Sequence, residues 1–360
     1  MKEYTIPGRR RISRSRGSGL SDGGLSPFSL CACLATVLVL LAGDAAGAFR
    51  SAGPNVRAEV SDGGGRPGFF DEETSHGPEE DPETPEGEAD GEAGKREGSY
   101  LSHLWELDRE SRNRTFGITP YRSNYLLPFT YNARPNEGPL RDTDPGYEVK
   151  NAEVKFQISF KIKLWEDVLG KHVDLWAGYT QLSFWQFYNF ADSSPFRETD
   201  FEPELLLQFR TDFDLMGFRT RYINVGLNHQ SNGRARPQSR SWNRVVGNVG
   251  LERGNLVLIL GAWYRIPEKE KDDDNPDIED YLGYGQVNVL YFRGEHRVGL
   301  YLRNNLRVRD NRGALQLDWS FPLIRWVSGY VQYVNGYGES LLDYNASANR
   351  IGVGFILKER

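Results

Sequence analysis

Hydrophobic and polar residues alternate along most of the chain from about residue 120 to the end. The clearest stretch is 154–164, where six apolar residues at even positions alternate with five polar residues at odd positions. A β-strand sends successive side chains to opposite faces, whereas a helix of this order would mix its faces. The pattern therefore predicts strands with one apolar face and one polar face.

Twelve segments share this pattern, and most are about 10–14 residues long, enough for a tilted strand to cross a bilayer. They begin near residues 121, 152, 172, 203, 217, 239, 255, 281, 296, 312, 326 and 347. An even number of strands lets an antiparallel sheet close without a free edge. We therefore predict an all-β protein, a twelve-stranded antiparallel transmembrane β-barrel.

The connections between the segments support this prediction. Five of them, after the second, fourth, sixth, eighth and tenth segments, are short, and those after the first, third, seventh and eleventh are long. Membrane barrels combine short periplasmic turns with long external loops. A soluble, secreted β-sandwich esterase is the alternative, but nothing in the architecture of a sandwich requires short and long connections to alternate.

The N-terminal part of the chain is of a different kind. Residues 1–48 are predicted to be an export signal, because five arginines precede the apolar segment 28–42 and residues 46–48 form a small-x-small cleavage site. An uncleaved membrane anchor is the alternative, although the apolar segment is short for one. Both cysteines, Cys31 and Cys33, lie in this signal, so the cleaved protein would contain no disulfide.

Residues 49–98 are rich in Gly, Pro, Glu and Asp, and we predict that they are disordered. Within them, residues 71–97 carry 12 acidic and 2 basic side chains, a charge of -10, so the rest of the chain carries about +4 (-6 minus -10). No basic stripe stands out in that remainder, so no nucleic-acid partner is expected. The barrel is assigned to residues 99–360.

Candidate chemistry lies at the end of the fifth segment. His229 and Ser231 continue the odd series of Val225 and Leu227, so they are expected to face lipid with their Cα atoms ~6.5–7 Å apart. An imidazole beside a serine hydroxyl is the pairing that a serine nucleophile needs. Asn243, on the outward face of the sixth segment, could accept the Nδ1 proton of His229 and leave Nε2 free to take the proton of Ser231.

The position of this trio suggests its substrate. If both termini are periplasmic, the fifth segment runs outward, and the trio lies near the outer rim, at the depth of lipid headgroups and ester bonds. Polar side chains on a lipid-facing surface cost free energy unless they are used. Ester hydrolysis also needs a donor for the developing oxyanion, and Gly233 in the following loop could offer its backbone N–H.

Several segments resemble the outer-membrane phospholipase A family, and together they span roughly residues 115–357 in order. The most specific are Asn228-His229-Gln230-Ser231-Asn232-Gly233 and Ser239-Arg240-Ser241-Trp242-Asn243-Arg244, with further matches at 179–181, 193–199, 274–278 and 336–345. The resemblance implies a twelve-stranded barrel in the outer membrane of a Gram-negative cell, with its active site facing the outer leaflet. The implied activity is that of a phospholipase A1 and A2, which hydrolyses the sn-1 and sn-2 acyl esters of phospholipids and lysophospholipids.

The resemblance also implies roles for individual residues. Ser231 would be the nucleophile, His229 the base and Asn243 the group that orients the imidazole. The Gly233 amide, together with a calcium-bound water, would form the oxyanion hole. A passive porin or structural barrel that has lost this activity is the main rival interpretation, and it predicts no dependence on Ser231.

The implied cofactor is Ca²⁺, held by the Arg234 carbonyl, the Ser239 hydroxyl and the Ser193 carbonyl of a second subunit. Activity would then depend on a homodimer. Gln181, on the predicted outward face of the third segment, would form a hydrogen bond across the dimer interface, unless that strand has the opposite phase. Arg236 departs from the family pattern, because an acidic residue is expected in this calcium-side loop.

Two further departures concern the ends of the chain. The acidic tract at 49–98 is not part of the family pattern. The chain also ends on Lys358-Glu359-Arg360 instead of on an aromatic residue, so a C-terminal assembly signal would depend on Phe355.

Overall fold

The computed structural model describes residues 99–170 and 172–358. The predicted export signal and acidic segment lie outside these residues. Three α-helices and two 3₁₀ helices are short: α1 (Tyr100–Trp105), α2 (Gly138–Arg141), α3 (Ile278–Leu282), and the 3₁₀ turns Arg109–Ser111 and Phe190–Asp192. In this part of the chain no helix has the length and apolarity needed to cross a membrane.

Strands make up most of the described chain. They are β1 (Ile118–Pro120), β2 (Tyr125–Asn132), β3 (Ala152–Trp165), β4 (Val173–Trp185), β5 (Phe196–Leu215), β6 (Phe218–Ser231), β7 (Ser241–Arg253), β8 (Leu256–Arg265), β9 (Gly285–Arg293), β10 (His296–Asn304), β11 (Gly313–Ile324), β12 (Val327–Tyr337) and β13 (Ser347–Leu357).

The strands β2 to β13 form one closed antiparallel ring. Each strand pairs with its neighbours in sequence, and β13 pairs with β2 to close the ring. The short strand β1 pairs with β3 beside the region where β3 pairs with β2. The predicted twelve-stranded antiparallel barrel is confirmed.

The two ends of the barrel differ in their connections. The links β5–β6, β7–β8, β9–β10 and β11–β12 are only two residues long, whereas the loops at the opposite end are longer. In the β5–β6 link, Met216 and Gly217 both have positive φ, at 53° and 82°, as a type I′ hairpin turn requires. We call the two ends the short-turn end and the long-loop end.

One strand boundary was wrong in the sequence analysis. The fourth segment was expected to begin near residue 203, but β5 begins at Phe196. The missed part of the strand has charged residues on its inward face, because Glu198, Asp200 and Glu202 are buried in the lumen. In this stretch acidic residues alternate with residues of mixed character, so the alternation of apolar and polar residues that identified the other strands is missing.

The outer surface of the barrel is apolar. Exposed aliphatic and aromatic side chains cover the middle of the strands, among them Leu205, Val225, Leu227, Val245, Val298, Leu317, Ile351, Val353 and Phe355. Exposed aromatic residues lie towards both ends: Trp165 and Trp326 at the short-turn end, Phe187, Phe190 and Phe196 at the long-loop end. An apolar band flanked by aromatic residues is the surface of a membrane barrel. The soluble β-sandwich is therefore wrong.

The lumen of the barrel holds buried ion pairs. Glu153 lies 2.9 Å from Arg197 Nε and 2.7 Å from Arg350 Nη2, and all three side chains are almost fully buried. Arg350 also pairs with Glu339, which binds Lys155 in turn. Charges removed from water are tolerated when they are paired and hydrogen-bonded, so this network connects β3, β5 and β13 across the lumen.

Helix α1 lies inside the barrel near the short-turn end. Its first turn is held by Glu252, which accepts hydrogen bonds from Ser99 Oγ at 2.5 Å and from the Leu101 amide at 2.8 Å. Trp105 at its end packs against Trp176 and Tyr222 of the barrel wall. This helix and the ion pairs occupy much of the space that a solute channel would need, which disfavours the passive porin.

Removing Glu153 tests the lumen network. We expect Glu153→Ala to lower the free energy of unfolding by roughly 3 kcal/mol, because Arg197 and Arg350 each lose a buried counter-charge. The measurement is the urea midpoint of the refolded barrel in detergent, followed by tryptophan fluorescence. Glu148→Gln, which removes an exposed carboxylate that pairs with the exposed Lys150, should leave the midpoint unchanged. Equal midpoints for both variants would contradict a stabilising role of the network.

Candidate active site

The pairing of β6 with β7 positions the candidate site. In this register His229 lies opposite Asn243, and Asn228 lies opposite Arg244. On the inner face, Arg244 Nε donates a hydrogen bond of 2.9 Å to the buried Asn228 Oδ1. This inner contact fixes the register, and the adjacent pair is therefore presented on the outer face.

His229 and Asn243 form a hydrogen bond on that outer face. The distance between His229 Nδ1 and Asn243 Oδ1 is 2.8 Å. An amide oxygen can only accept, so in this pair Nδ1 carries the proton and Nε2 presents its lone pair. The flanking outward residues Leu227 and Val245 are exposed to the lipid side.

Ser231 lies two residues beyond His229 on the same face, at the last position of β6. Its cross-strand neighbours are Phe201 on β5 and Ser241 on β7. Within the described residues His229 and Ser231 do not form a hydrogen bond. Such bonds are commonly long before substrate binds, and the spacing of ~6.5–7 Å between Cα atoms on one strand face allows them to meet.

The loop 232–240 is braced by a residue that the sequence analysis did not single out. Asn232 is buried, donates through Nδ2 to the Gln238 carbonyl at 2.9 Å, and accepts through Oδ1 from the Arg240 amide at 3.0 Å. Its own amide also donates to the Arg240 carbonyl at 3.0 Å. Asn232 lies in the segment 228–233 that resembles the phospholipase family, and this resemblance was the signal that could have identified it.

Gly233 and Arg234 follow in this loop. Gly233 has φ +65°, a conformation that suits glycine, and a Cβ there would lie 3.4 Å from the Phe201 ring. Its amide has no acceptor among the residues that the structure describes. The Arg234 side chain points inward, where Nε binds Glu198 at 2.9 Å and Nη1 binds Gln238 at 2.7 Å, so this part of the loop is anchored to the lumen.

Ser239, Arg236 and Asp274 meet at the far side of the loop. Asp274 accepts from Ser239 Oγ at 2.5 Å and from Arg236 Nε at 2.7 Å. Burial alone would raise the pKa of Asp274, but these two hydrogen bonds outweigh it and hold the pKa below its usual value. The carboxylate is therefore anionic. The sequence analysis did not assign Asp274 to the site, although it lies in a segment that matches the family.

Two residues predicted to take part in a dimer lie outside the β6–β7 region, Gln181 on β4 and Ser193 in the β4–β5 loop. Gln181 points outward, as expected, and is paired within β4: it accepts from Tyr179 Oη at 3.1 Å and donates to Ser183 Oγ at 3.1 Å. Ser193 is exposed in the β4–β5 loop, at the same end as Ser239. The structure thus gathers His229, Asn243 and Ser231 at one rim and leaves Ser193 in a separate loop.

The fold and the site together define a membrane β-barrel that displays a hydrolase-type His-Asn pair and a serine on its lipid-facing surface. Comparison with known proteins agrees. The sequence model of the phospholipase A1 family matches residues 101–357. The chain belongs to this family and is a phospholipase, an enzyme that hydrolyses carboxylic esters.

Individual relatives show how far the similarity extends. Phospholipase A1 of Klebsiella pneumoniae is 39% identical over 262 residues, which cover 73% of this chain and 88% of the relative. The structure of outer membrane phospholipase A from Escherichia coli has a TM-score of 0.65 and 38% identity, covering 72% of this chain and 96% of the other. The calcium-bound dimer of the Salmonella typhi outer membrane phospholipase has a TM-score of 0.65 and 37% identity, covering 73% and 98%.

Replacing Asn232 tests how the loop is held. We expect Asn232→Ala to speed tryptic cleavage after Arg234 or Arg240 by about tenfold, because the amides of Arg234 and Arg240 and the Gln238 carbonyl lose their buried partner and local opening becomes easier. The readout is the rate at which the intact barrel band is nicked in detergent. Asn311→Ala, in the exposed β10–β11 loop, should not change cleavage in 232–240. An unchanged rate for Asn232→Ala would show that this side chain does not brace the loop.

Proposed function

We propose that this protein hydrolyses the sn-1 and sn-2 acyl esters of phospholipids and lysophospholipids, with Ser231 as nucleophile, His229 as base and Asn243 as the orienting residue. The observation that carries the proposal is the 2.8 Å bond between His229 Nδ1 and Asn243 Oδ1 on a lipid-facing surface. A buried polar contact in a soluble core would have a packing explanation, but polar groups facing lipid are costly unless they are used.

The chemistry proceeds in two halves. The Ser231 oxygen attacks the acyl carbonyl carbon while His229 Nε2 takes the hydroxyl proton, and the proton then passes to the leaving alcohol oxygen of the lipid. Water, deprotonated by the same nitrogen, releases the fatty acid and restores Ser231. The Gly233 amide donates to the oxyanion that develops in each half. Asn243 stabilises the imidazolium less than a carboxylate would, because its amide is neutral.

Calcium is the proposed cofactor, and the oxygen-rich rim fits it. The Arg234 carbonyl and the Ser239 hydroxyl would hold the ion, with the Ser193 carbonyl of a second subunit, and hydroxyl and carbonyl oxygens are ligands that Ca²⁺ accepts. The anionic Asp274 beside Ser239 adds a favourable charge. When bound, the ion would supply positive charge near the developing oxyanion.

We also propose that the active form is a homodimer in the outer membrane of a Gram-negative cell, with its active site facing the outer leaflet. The exposed Phe187 and Phe190 lie in the same β4–β5 loop as Ser193, and these aromatic side chains suit contact with a second barrel. Gln181 would exchange its bonds within β4 for bonds across the interface. The orientation follows from the long loops, which face outward in membrane barrels.

Acyl release from phospholipid in detergent tests the proposed function. We expect Ser231→Ala and His229→Ala each to lower the rate by roughly a thousandfold or more, because each removes a member of a unit that acts together. Ser241→Ala removes the hydroxyl directly across the strand pair and should keep most of the activity. Undiminished release by Ser231→Ala would refute the catalytic assignment.

Calcium removal and the Arg236 substitution test the cofactor. EDTA should abolish acyl release, and EDTA-insensitive release would refute only the calcium proposal. The guanidinium of Arg236 occupies an Asp274 oxygen beside Ser239, so Arg236→Gln should tighten calcium binding by about tenfold, since ligand charge sets affinity at such sites. Calorimetry on the inactive Ser231→Ala protein measures this directly.

Arg141→Gln is the matched control for Arg236→Gln. It removes another exposed, ion-paired arginine at the same end of the barrel and should leave the calcium affinity unchanged. Equal calcium affinities of the parent protein and Arg236→Gln would show that Arg236 does not compete with the ion.

A further inference from the structure

Glu268 is a carboxylate next to the candidate active site, outside the proposed Ser231, His229 and Asn243 set. Its Oε1 accepts a hydrogen bond of 2.9 Å from Asn243 Nδ2. The other end of the same amide, Oδ1, accepts from His229 Nδ1 at 2.8 Å. Glu268, Asn243 and His229 therefore form one continuous hydrogen-bonded chain that leads towards Ser231.

The backbone holds Glu268 in place. The Ile266 amide donates to the Asn243 carbonyl at 2.8 Å, so the pairing of β8 with β7 continues one step beyond the end of β8. Pro267 restricts the next backbone angle. After Glu268, the amides of Asp272 and Asp273 both donate to the Lys269 carbonyl and close a turn. The carboxylate is thus presented by ordered backbone on both sides.

A carboxylate at this position removes an ambiguity that an asparagine brings. The Asn243 amide could turn either its oxygen or its nitrogen towards His229, and the nitrogen would favour the tautomer in which Nε2 is protonated and unable to accept from Ser231. An ionised carboxylate only accepts hydrogen bonds. Glu268 therefore holds the amide nitrogen on its own side and leaves the amide oxygen for His229.

The charge of Glu268 adds a second effect. Asn243 is neutral, so by itself it does little for the positive imidazolium that forms during the reaction. Among the residues that the structure describes, Glu268 forms no ion pair, so its charge is not neutralised by a neighbouring cation. Charge-assisted hydrogen bonds are roughly twice as strong as neutral ones, and the carboxylate polarises the amide oxygen that faces His229.

We propose that Glu268 is a positioning residue, which fixes the orientation of Asn243 and supplies the negative charge at the end of a Ser-His-Asn-Glu chain. It touches neither substrate nor the reacting atoms and acts only through Asn243. The inference rests on the proposed function, because it assumes that His229 is the base for Ser231.

Kinetics in mixed micelles test this role. Glu268→Ala should lower kcat about tenfold with KM within twofold, by analogy with metal sites, where the outer partners that orient a ligating side chain typically contribute 10- to 100-fold. Glu268→Gln keeps an acceptor without the charge and should lose about threefold. Glu270→Gln is the matched control: it removes an exposed carboxylate two residues further along and should not change kcat. Heat-modifiable gel mobility verifies that each barrel is folded.

A double-mutant cycle with Asn243→Ala separates positioning from a general structural effect. If Glu268 acts through Asn243, Glu268→Ala should have almost no further effect in the Asn243→Ala background. A rescue gives a second test. In Asn243→Asp alone, the new carboxylate lies next to the Glu268 carboxylate and the two repel each other. Adding Glu268→Gln places an amide donor beside the new carboxylate. The double variant should therefore be at least about fivefold more active than Asn243→Asp.

Two results would overturn the proposal. One is an unchanged kcat in Glu268→Ala. The other is that Glu268→Ala lowers kcat by the same factor in the parent protein and in the Asn243→Ala variant. Failure of the proposed function is a different result. It would appear as acyl release that persists in Ser231→Ala, whatever the Glu268 variants do. If Ser231→Ala is inactive and Glu268→Ala is as active as the parent protein, only the positioning role is refuted.

Discussion

The closure of the strand ring is the constraint on which the rest of this structure depends. Lipid offers no hydrogen bonds to a backbone, so a sheet that crosses a membrane must pair both of its edges. Here the pairing of β13 with β2 does this. Closure divides every strand into inward and outward positions, and that division sends the charges into the lumen and the apolar side chains to the lipid.

The candidate active site uses both sides of this division. His229 and Asn243 face outward and can reach lipid, while their neighbours Asn228 and Arg244 lock the same strand pair from within. The loop at the rim is tied to the lumen through Arg234 and Glu198. In this arrangement the proposed catalytic groups lie on the lipid-facing surface, and the side chains that support them lie in the ion-paired interior. Glu268 supports Asn243 from the outer rim, on the side of the strand pair that faces away from the lumen.

Particular residues show how far sequence reasoning reached. The alternation in 154–164 identified a strand and its lipid-facing side, because a period of two has one structural meaning. The same reasoning placed β5 too late, since Glu198, Asp200 and Glu202 make its inner face as polar as a loop. The roles of Ser193, Arg234 and Ser239 towards calcium came from resemblance, and they stay predictions.

The sequence by itself determined the number of strands, the phase of the strand that carries His229 and Ser231, and the residue types of the candidate site. These features depend on local periodicity and on motif, both of which can be read along the chain. Only the tertiary structure decided which distant residues support the site: Asp274 on Ser239, Asn232 across its loop, and Glu268 on Asn243. Such contacts depend on strand register and on the paths of loops, which no local pattern in one sequence specifies.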